Sequence, residues 1–527
     1  MNTLPRLLFL HPKTLFDSWP MPVDTLGEVI KVPSIVYPLL ASTIHDLPLE
    51  IDIFDGYVTR KSFSEYKALL RQATFIAITV MSSLKALDTQ ATILLAKRLN
   101  PGVKIILGGN QATAFPERWL DNGADYVIVR EGEWSFRMLM EHLLERSDQL
   151  DGIPGLVYKN HAGQTVGTEP QSAYVDLDES VIPSWELLNL HPYDLGLRTG
   201  GLTATIEISR GCPFRCDFCN INKYWGYQQR YKSVPRVLEE LERLHRLGVR
   251  ELMIADDNFG FDYEHSGALL EELIRRAYGF RFGAFVRADT VYRHPEFAAL
   301  AARAGLRLAL VGIETLDRNW LKSHRKGVRS KQDPTEVYTH VYTTLRSQGV
   351  FLLGLFINAN EPNGANTPPS GQGLDGRVCD FHYSADLIPQ KNSALYEKLV
   401  ADDCVTLKDM FYHDWNLPSV KTASNGQKNH KSLSMMLRRL DPFAARALVS
   451  REPMLRRFWW RHLGISAERL LCTSIDDLRR YRWAKDERLD YDERQHKIVH
   501  SIVNPRTIQR LASARRWKVP LALRTGF

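Results

Sequence analysis

Short apolar segments alternate with amphipathic helical segments along most of this chain, and that alternation is the strongest limit on its fold. In the first 150 residues the strand-like segments are RLLFLHP (6–12), LEIDIFDG (49–56), FIAITVMSS (75–83), VKIILGGN (103–110) and ADYVIVREG (124–132). Between them lie helical patterns such as SFSEYKALLRQA, DTQATILLAKRLN and FRMLMEHLLER. Strand, helix, strand with short connections implies a parallel sheet covered on both faces. Residues 1–150 are therefore expected to form an α/β, Rossmann-like domain, with any ligand at the carboxyl ends of its strands.

The pattern then changes. Residues 151–200 carry prolines at 154, 170, 183 and 192 and read as a hairpin and an extended linker. The alternation resumes with TATIEISRG (203–211), ELMIADDNF (251–259), RFGAFVRAD (281–289), RLALVGIE (307–314) and FLLGLFINA (351–359). CDFHYSADLIP (379–389) is a candidate last strand. A second βα series closes most naturally as a full or partial (β/α) barrel over 201–400. The Pro- and Gly-rich stretch 361–376 reads as a loop or lid. Residues 401–527 read as a basic, mostly helical C-terminal domain.

Composition narrows the classes. The 527 residues are 44% hydrophobic and 24% charged, which excludes a disordered or fibrous chain. No apolar run approaches the roughly 18 residues of a membrane span, and RLLFLHP is too short for a signal-peptide core. Six cysteines do not make a disulfide framework, so a cytoplasmic, reducing compartment is expected. The last hundred residues hold 23 Lys+Arg against 10 Asp+Glu, more than the whole chain's excess of +7. Such a tail could meet nucleic acid or an anionic surface, or be a solvated helical face. FWWRHL (458–463) reads as helix packing, and no nucleic-acid module is visible.

The sharpest local signal is RGCPFRCDFCN (210–220), in which Cys212, Cys216 and Cys219 have the spacing C-x3-C-x2-C. Three thiolates on one loop can hold three irons of a cubane and leave the fourth iron open. A structural zinc site would want a fourth ligand nearby, and the next Cys or His is His245. The loop follows the first strand of the second βα series, where barrel active sites lie. Arg287 and Glu314 end strands that are otherwise apolar, so their charges are expected at the same mouth. Cys379, Cys404 and Cys472 are scattered and read as buried thiols.

These residues resemble the radical S-adenosylmethionine superfamily, whose signature is this loop with an aromatic before its last cysteine, here Phe218. The resemblance implies a [4Fe-4S] cluster whose open iron chelates S-adenosyl-L-methionine, cleaved after reduction to methionine and a 5′-deoxyadenosyl radical. It also places Asp256, Asp257, Arg287 and Glu314 near that cofactor. Residues 103–133 resemble the cobalamin-binding half of the cobalamin-dependent (class B) members, through Gly108, Gly109, Thr113, Pro116, Glu117, Glu131, Gly132 and Glu133. The Asp-x-His-x-x-Gly motif of many cobalamin proteins is absent, although His11 ends the first strand. A flat macrocycle then depends on small residues at the strand ends, for which Thr79, Ser82, Ser83, Gly108 and Gly109 are suited. The resemblance implies methylation of an unactivated carbon of a small-molecule or natural-product substrate, with a flavodoxin- or ferredoxin-like electron donor. Oxidative cyclisation, as in a tetrapyrrole cyclase, is the alternative within the superfamily. A cobalamin-binding regulator with a nucleic-acid-binding tail is the alternative outside it.

Overall fold

The computed structural model describes residues 4–12, 31–56, 58, 63–81, 85–145, 150–170, 174–197, 199–327, 332–358, 374, 376–387 and 390–402. Ser82, Ser83, Cys404, Cys472, most of the 361–376 loop and nearly all of the basic C-terminal region lie outside the described residues.

The first sheet has seven strands. They are β1 (Arg6–His11), β2 (Glu50–Asp55), β3 (Phe75–Thr79), β4 (Lys104–Gly108), β5 (Tyr126–Ile128), β6 (Leu156–Lys159) and β7 (Thr165–Gly167). The order is β2-β1-β3-β4-β5-β6-β7, parallel through β5 and antiparallel beyond it. The parallel strands read as continuous apolar runs because both faces are covered. Leu8, Leu10, Ile76 and Ile78 face one buried cluster, while Leu7, Phe9 and Ala77 face the other. Strand order reverses at β1, with β2 on one side and β3 on the other, so the strands' carboxyl ends open a crevice there. The hairpin expected after residue 150 is β6–β7, and it extends this sheet.

The second sheet has six parallel strands in consecutive order: β8 (Leu202–Ile206), β11 (Val249–Phe259), β12 (Arg281–Val286), β13 (Leu306–Glu314), β14 (Phe351–Asn358) and β15 (Phe381–Asp386). This is a partial barrel. Its helices pack outside on Ile254, Phe282, Val311 and Leu352, while Met253, Leu308, Leu310, Phe351 and Leu353 form a separate cluster with Leu195 and Leu197. The helix Val234–Arg246 shows how the sequence encodes the outer layer. Ser233 caps its first turn by accepting from the Arg236 N–H, and Pro235 sits where no donor is needed. Val237, Leu238, Leu241 and Leu244 form the buried stripe, and Arg243 and Arg246 sit in the last turn.

One expected strand is divided. Residues 203–211 are read from sequence as a single strand, but β8 ends at Ile206. Ser209–Gly211 (β9) instead leaves the sheet and pairs antiparallel with Gln229–Tyr231 (β10). The Asp256 carboxylate takes the Ile208 N–H at 2.8 Å and so ends the ladder. The cysteine loop is thus carried in a hairpin.

The amino end of the barrel is closed by the segment before β8. Buried Glu251 accepts from the N–H groups of Leu195 and Thr199, each at 3.1 Å, and Thr205 Oγ1 donates to Pro33 O at 2.6 Å. Glu251→Ala strands those two donors and should lower the unfolding free energy by about 1–3 kcal/mol. The check is the urea midpoint; an unchanged midpoint would mean that residues 194–199 do not close the barrel.

Candidate functional site

The cysteine loop sits at the carboxyl end of the barrel and is organised by groups from three elements. Asn222 Nδ2 donates to Phe214 O at 3.2 Å and Cys216 O at 3.1 Å, and the Cys219 N–H donates to Cys216 O at 3.2 Å. The Asp217 N–H donates to His324 O at 3.3 Å. Gly211, at φ 95°, has no room for a Cβ because the Gln228 carbonyl and Trp225 Cβ occupy that space.

Cys212, Cys216 and Cys219 are free thiols. Burial raises the Cys212 thiol and pushes that of Cys219 up to about 12, with the neighbouring cysteines adding to both. Among the described residues no three His, Cys, Asp or Glu side chains converge as a single-ion site. Three free thiols on one loop are the donor set of a cubane, in which each takes its own iron.

The expected strand-end residues gather around this loop in different ways. Asp256 is buried and turned into the loop's root, accepting from Ile208 N–H and Ser209 Oγ. Asp257 is exposed and accepts from the Gly211 N–H at 3.2 Å. The Arg287 guanidinium stacks on the Phe214 ring at 3.5 Å and holds Asp289 at 2.8 Å. Glu314 adopts φ 63°, a strained conformation for this residue type, and pairs with Lys326 Nζ at 2.7 Å. Gly312 makes that pair possible: a Cβ there would lie 2.5 Å from Glu314 Oε1 and 2.9 Å from Lys326 Nζ. The Phe218 ring lies 5.6 Å from Trp320, and Phe218 and Ile357 both pack against Trp320 and Leu321. Phe214, Asn222, Gly312 and Lys326 were not singled out from sequence. The aromatic after Cys-Pro was the one visible signal among them.

In the first domain, Thr79, Gly108 and Gly109 end β3 and β4 beside the crevice. The Thr79 N–H donates to Tyr37 Oη at 3.3 Å, and Tyr37 donates to Leu10 O at 2.8 Å. Gly109, at φ 92°, starts the short helix Asn110–Ala114, and a Cβ there would lie 2.8 Å from Val80 O. Above Gly108 a Cβ meets only Ile128 O, at 3.8 Å. The open space above Gly108 would let a flat macrocycle approach the strand ends, whereas Gly109 is required by the close approach of Val80. His11 is 3.3 Å from Asp55 at the ends of β1 and β2.

Glu131, Thr113 and Gly132, also expected at the corrinoid, have hydrogen-bond partners within the chain. Both carboxylate oxygens of Glu131 are occupied, one by Arg210 and Arg230 and the other by the Val175 N–H. Thr113 Oγ1 accepts from the Arg130 N–H, and Gly132 O accepts from Phe136 N–H at the start of helix Glu133–Glu145. Glu131 and Thr113 thus meet the turn that follows β5, where Arg130 adopts φ 67° two residues after the strand ends at Ile128.

Comparison with known proteins agrees with this geometry. Residues 206–357 match the Radical SAM superfamily and residues 31–139 match the B12 binding domain. An uncharacterized methyltransferase of Pyrococcus horikoshii is 28% identical over 326 residues, 61% of this chain and 69% of the relative. The hopanoid C-3 methylase of Methylococcus capsulatus is 30% identical over 237 residues, 44% of each chain. The anaerobic magnesium-protoporphyrin IX monomethyl ester cyclase of Synechocystis sp. is 28% identical over 62% of this chain and 64% of its own. In fold, the radical S-adenosylmethionine methyltransferase TsrM of Kitasatospora setae superposes with a TM-score of 0.57 at 18% identity, over 77% of this chain and 75% of that one. The barrel and its cysteine loop lie within the region that matches the Radical SAM superfamily. The match to the B12 binding domain lies ahead of the match to the barrel, the same order as the two sheets.

The buried Asp256 gives a test of the loop's root. Burial lifts its carboxyl to about 7 against the lowering effect of its Ser209 and Ile208 hydrogen bonds. The unfolded carboxyl titrates at about 4. Between those values the folded chain holds a proton that the unfolded chain has released, so this group makes stability fall as pH rises from about 4 to about 7. Asp256→Asn should flatten that part of the stability–pH curve, measured by urea unfolding. Parallel curves for the two proteins would contradict the assignment.

Proposed function

We propose that this chain is a cobalamin-dependent radical S-adenosylmethionine methyltransferase acting on an unactivated carbon of a small-molecule or natural-product substrate. The observation that carries the reading is the joining of a three-thiol loop at a barrel mouth to a B12-binding domain with a glycine cradle at its strand ends. When bound, the cluster with S-adenosylmethionine supplies a 5′-deoxyadenosyl radical and the corrinoid supplies a methyl group.

In this reading Cys212, Cys216 and Cys219 hold the cluster. Phe218 and Arg287 line the S-adenosylmethionine site. Asp257 accepts from the ammonium of that cofactor's methionine part, and the Glu314–Lys326 pair gives its polar groups fixed partners. Asp256 acts one step back, holding the loop's root. Thr79, Gly108 and Gly109 seat the corrinoid. The substrate lies between the two sites, since a radical centre must be close to the methyl donor. An external flavodoxin- or ferredoxin-like donor supplies electrons, and a reducing cytoplasm keeps the thiols free. Among the described residues no helix is long and apolar enough to cross a membrane.

The cyclase relative supports oxidative cyclisation as a second reading. Transfer of label from methyl-labelled S-adenosylmethionine into product separates the two.

Two sets of variants test the reading. After anaerobic reconstitution with iron, sulfide and hydroxocobalamin, Cys212→Ala, Cys216→Ala and Cys219→Ala should each lose the cluster's iron and abolish 5′-deoxyadenosine formation while keeping corrinoid. Persistence of that product would remove the cluster assignment. A Cβ at Gly108 makes only an ordinary contact with Ile128 O at 3.8 Å, so Gly108→Leu should keep the iron and the wild-type melting temperature but lose corrinoid. Full corrinoid uptake by this variant would take the cradle away from β4.

A further inference from the structure

We propose that Arg210 and Glu131 are positioning residues that lock the cysteine loop to the B12-binding domain, so that the two cofactor sites keep one separation and one orientation. The inference rests on the two-cofactor reading above and adds what holds the two halves in register.

Both ends of the loop grip the same turn of the first domain. Just before Cys212, Arg210 sends Nη1 to Glu131 at 2.8 Å, Nη2 to Glu133 at 2.6 Å and Nε to Glu207 at 2.9 Å. Just after Cys219, Tyr224 Oη donates to Arg130 O at 2.7 Å. The Arg130 N–H in turn donates to Thr113 Oγ1 at 3.0 Å, on the short helix that follows Gly108 and Gly109. A continuous path of bonds therefore runs from the cysteine loop through residues 130–133 to the glycine cradle. A second guanidinium reinforces it. Arg230, on β10 of the loop's hairpin, reaches Glu131 and Val175 O, each at 2.6 Å, and the Val175 N–H returns to Glu131 at 2.7 Å. Trp225 lies under both guanidiniums, at 5.9 and 5.6 Å.

The physical case for positioning, beyond adhesion, is burial. The Arg210 side chain is 6% exposed and that of Glu131 is 2% exposed. An apolar contact tolerates sliding, but a buried guanidinium requires each donor to meet its acceptor. Burial opposes the charge on Arg210, and the fields of Glu133, Glu207 and Glu131 outweigh it. Burial likewise opposes the charge on Glu133, and Arg210 pulls its carboxyl below the ordinary range. Removal of Glu131 leaves Arg210 with Glu133 and Glu207, and removal of Arg210 leaves Glu131 with Arg230 and the Val175 N–H, so each variant keeps some partners but loses the direct bond between the two residues.

The test uses the full chain as wild type, Glu131→Gln, Arg210→Met and, as a surface control, Glu397→Gln, which breaks the exposed pair with Lys223. Glu131→Gln keeps an acceptor for the Val175 N–H and carries the test if Arg210→Met does not fold. Two readouts are taken: calorimetric unfolding without cofactors, and, after reconstitution, the enhancement by the reduced cluster of cob(II)alamin electron-spin relaxation. Iron and corrinoid per chain are measured alongside. The latch predicts wild-type loading in Glu131→Gln, an unfolding transition that divides into two, and a fall in relaxation enhancement, as a longer distance between the two cofactors would produce. The control should match wild type. Full loading with an undivided transition and unchanged relaxation in the interior variants would overturn the proposal. A wild-type chain that takes up no corrinoid would remove the two-cofactor reading, and the calorimetric division would then decide the latch alone.

Discussion

A guanidinium taken out of water must be met by carboxylates on nearly every side, and Arg210 is the residue on which this protein spends that constraint. Its three acceptors come from two domains: Glu131 and Glu133 from the first, Glu207 from the edge of the barrel. In the proposed latch the orientation of the domains is fixed by the pairing of this side chain, assisted by Arg230 and Tyr224. Apolar contact adds area without adding direction. Leu387, Leu395 and Leu399 at the end of the barrel domain pack into a core cluster of the first domain.

The same economy appears within the barrel. Charges and hydrogen-bonding groups sit at its two ends, and the middle is apolar. At the amino end Glu251 closes the strands by taking backbone donors from residues 195 and 199. At the carboxyl end Asp256 holds the root of the cysteine loop, and Arg287, Glu314 and Lys326 surround the mouth. Leu308, Leu310, Phe351 and Leu353 fill the space between. Buried polar groups are acceptable only when paired, so the mouth's groups are held in fixed directions. A reactive site needs that fixity, because small displacements of reacting groups are costly.

Much of this was legible in the sequence. Parallel strands covered on both faces appear as unbroken apolar runs, which is why eleven βα-type segments could be located before any geometry was known. The cysteine spacing was legible because it is local. Boundaries were less so: β3 ends at Thr79 and β5 at Ile128, where the chain turns although its residues remain apolar or β-branched. Asp256 and Asp257 looked equivalent as adjacent acids. Strand alternation sends them to opposite faces, one into the loop's root and one toward the mouth. Lys326 and Asn222 carried no signal, because their partners arrive through packing and not through spacing.

The sequence by itself determined the two βα series, the three-thiol loop and the small residues at the strand ends, since each is written in periodicity or short spacing. Only the tertiary structure decided what Glu131 and Thr113 do. From sequence they belonged to the corrinoid set, through the company of Gly108 and Gly109. In space, the left-handed turn at Arg130 swings Glu131 toward a guanidinium from the other domain. A hydrogen-bond partner eighty residues away leaves no mark on the local pattern, and a buried charge takes whichever partner the packing brings within reach.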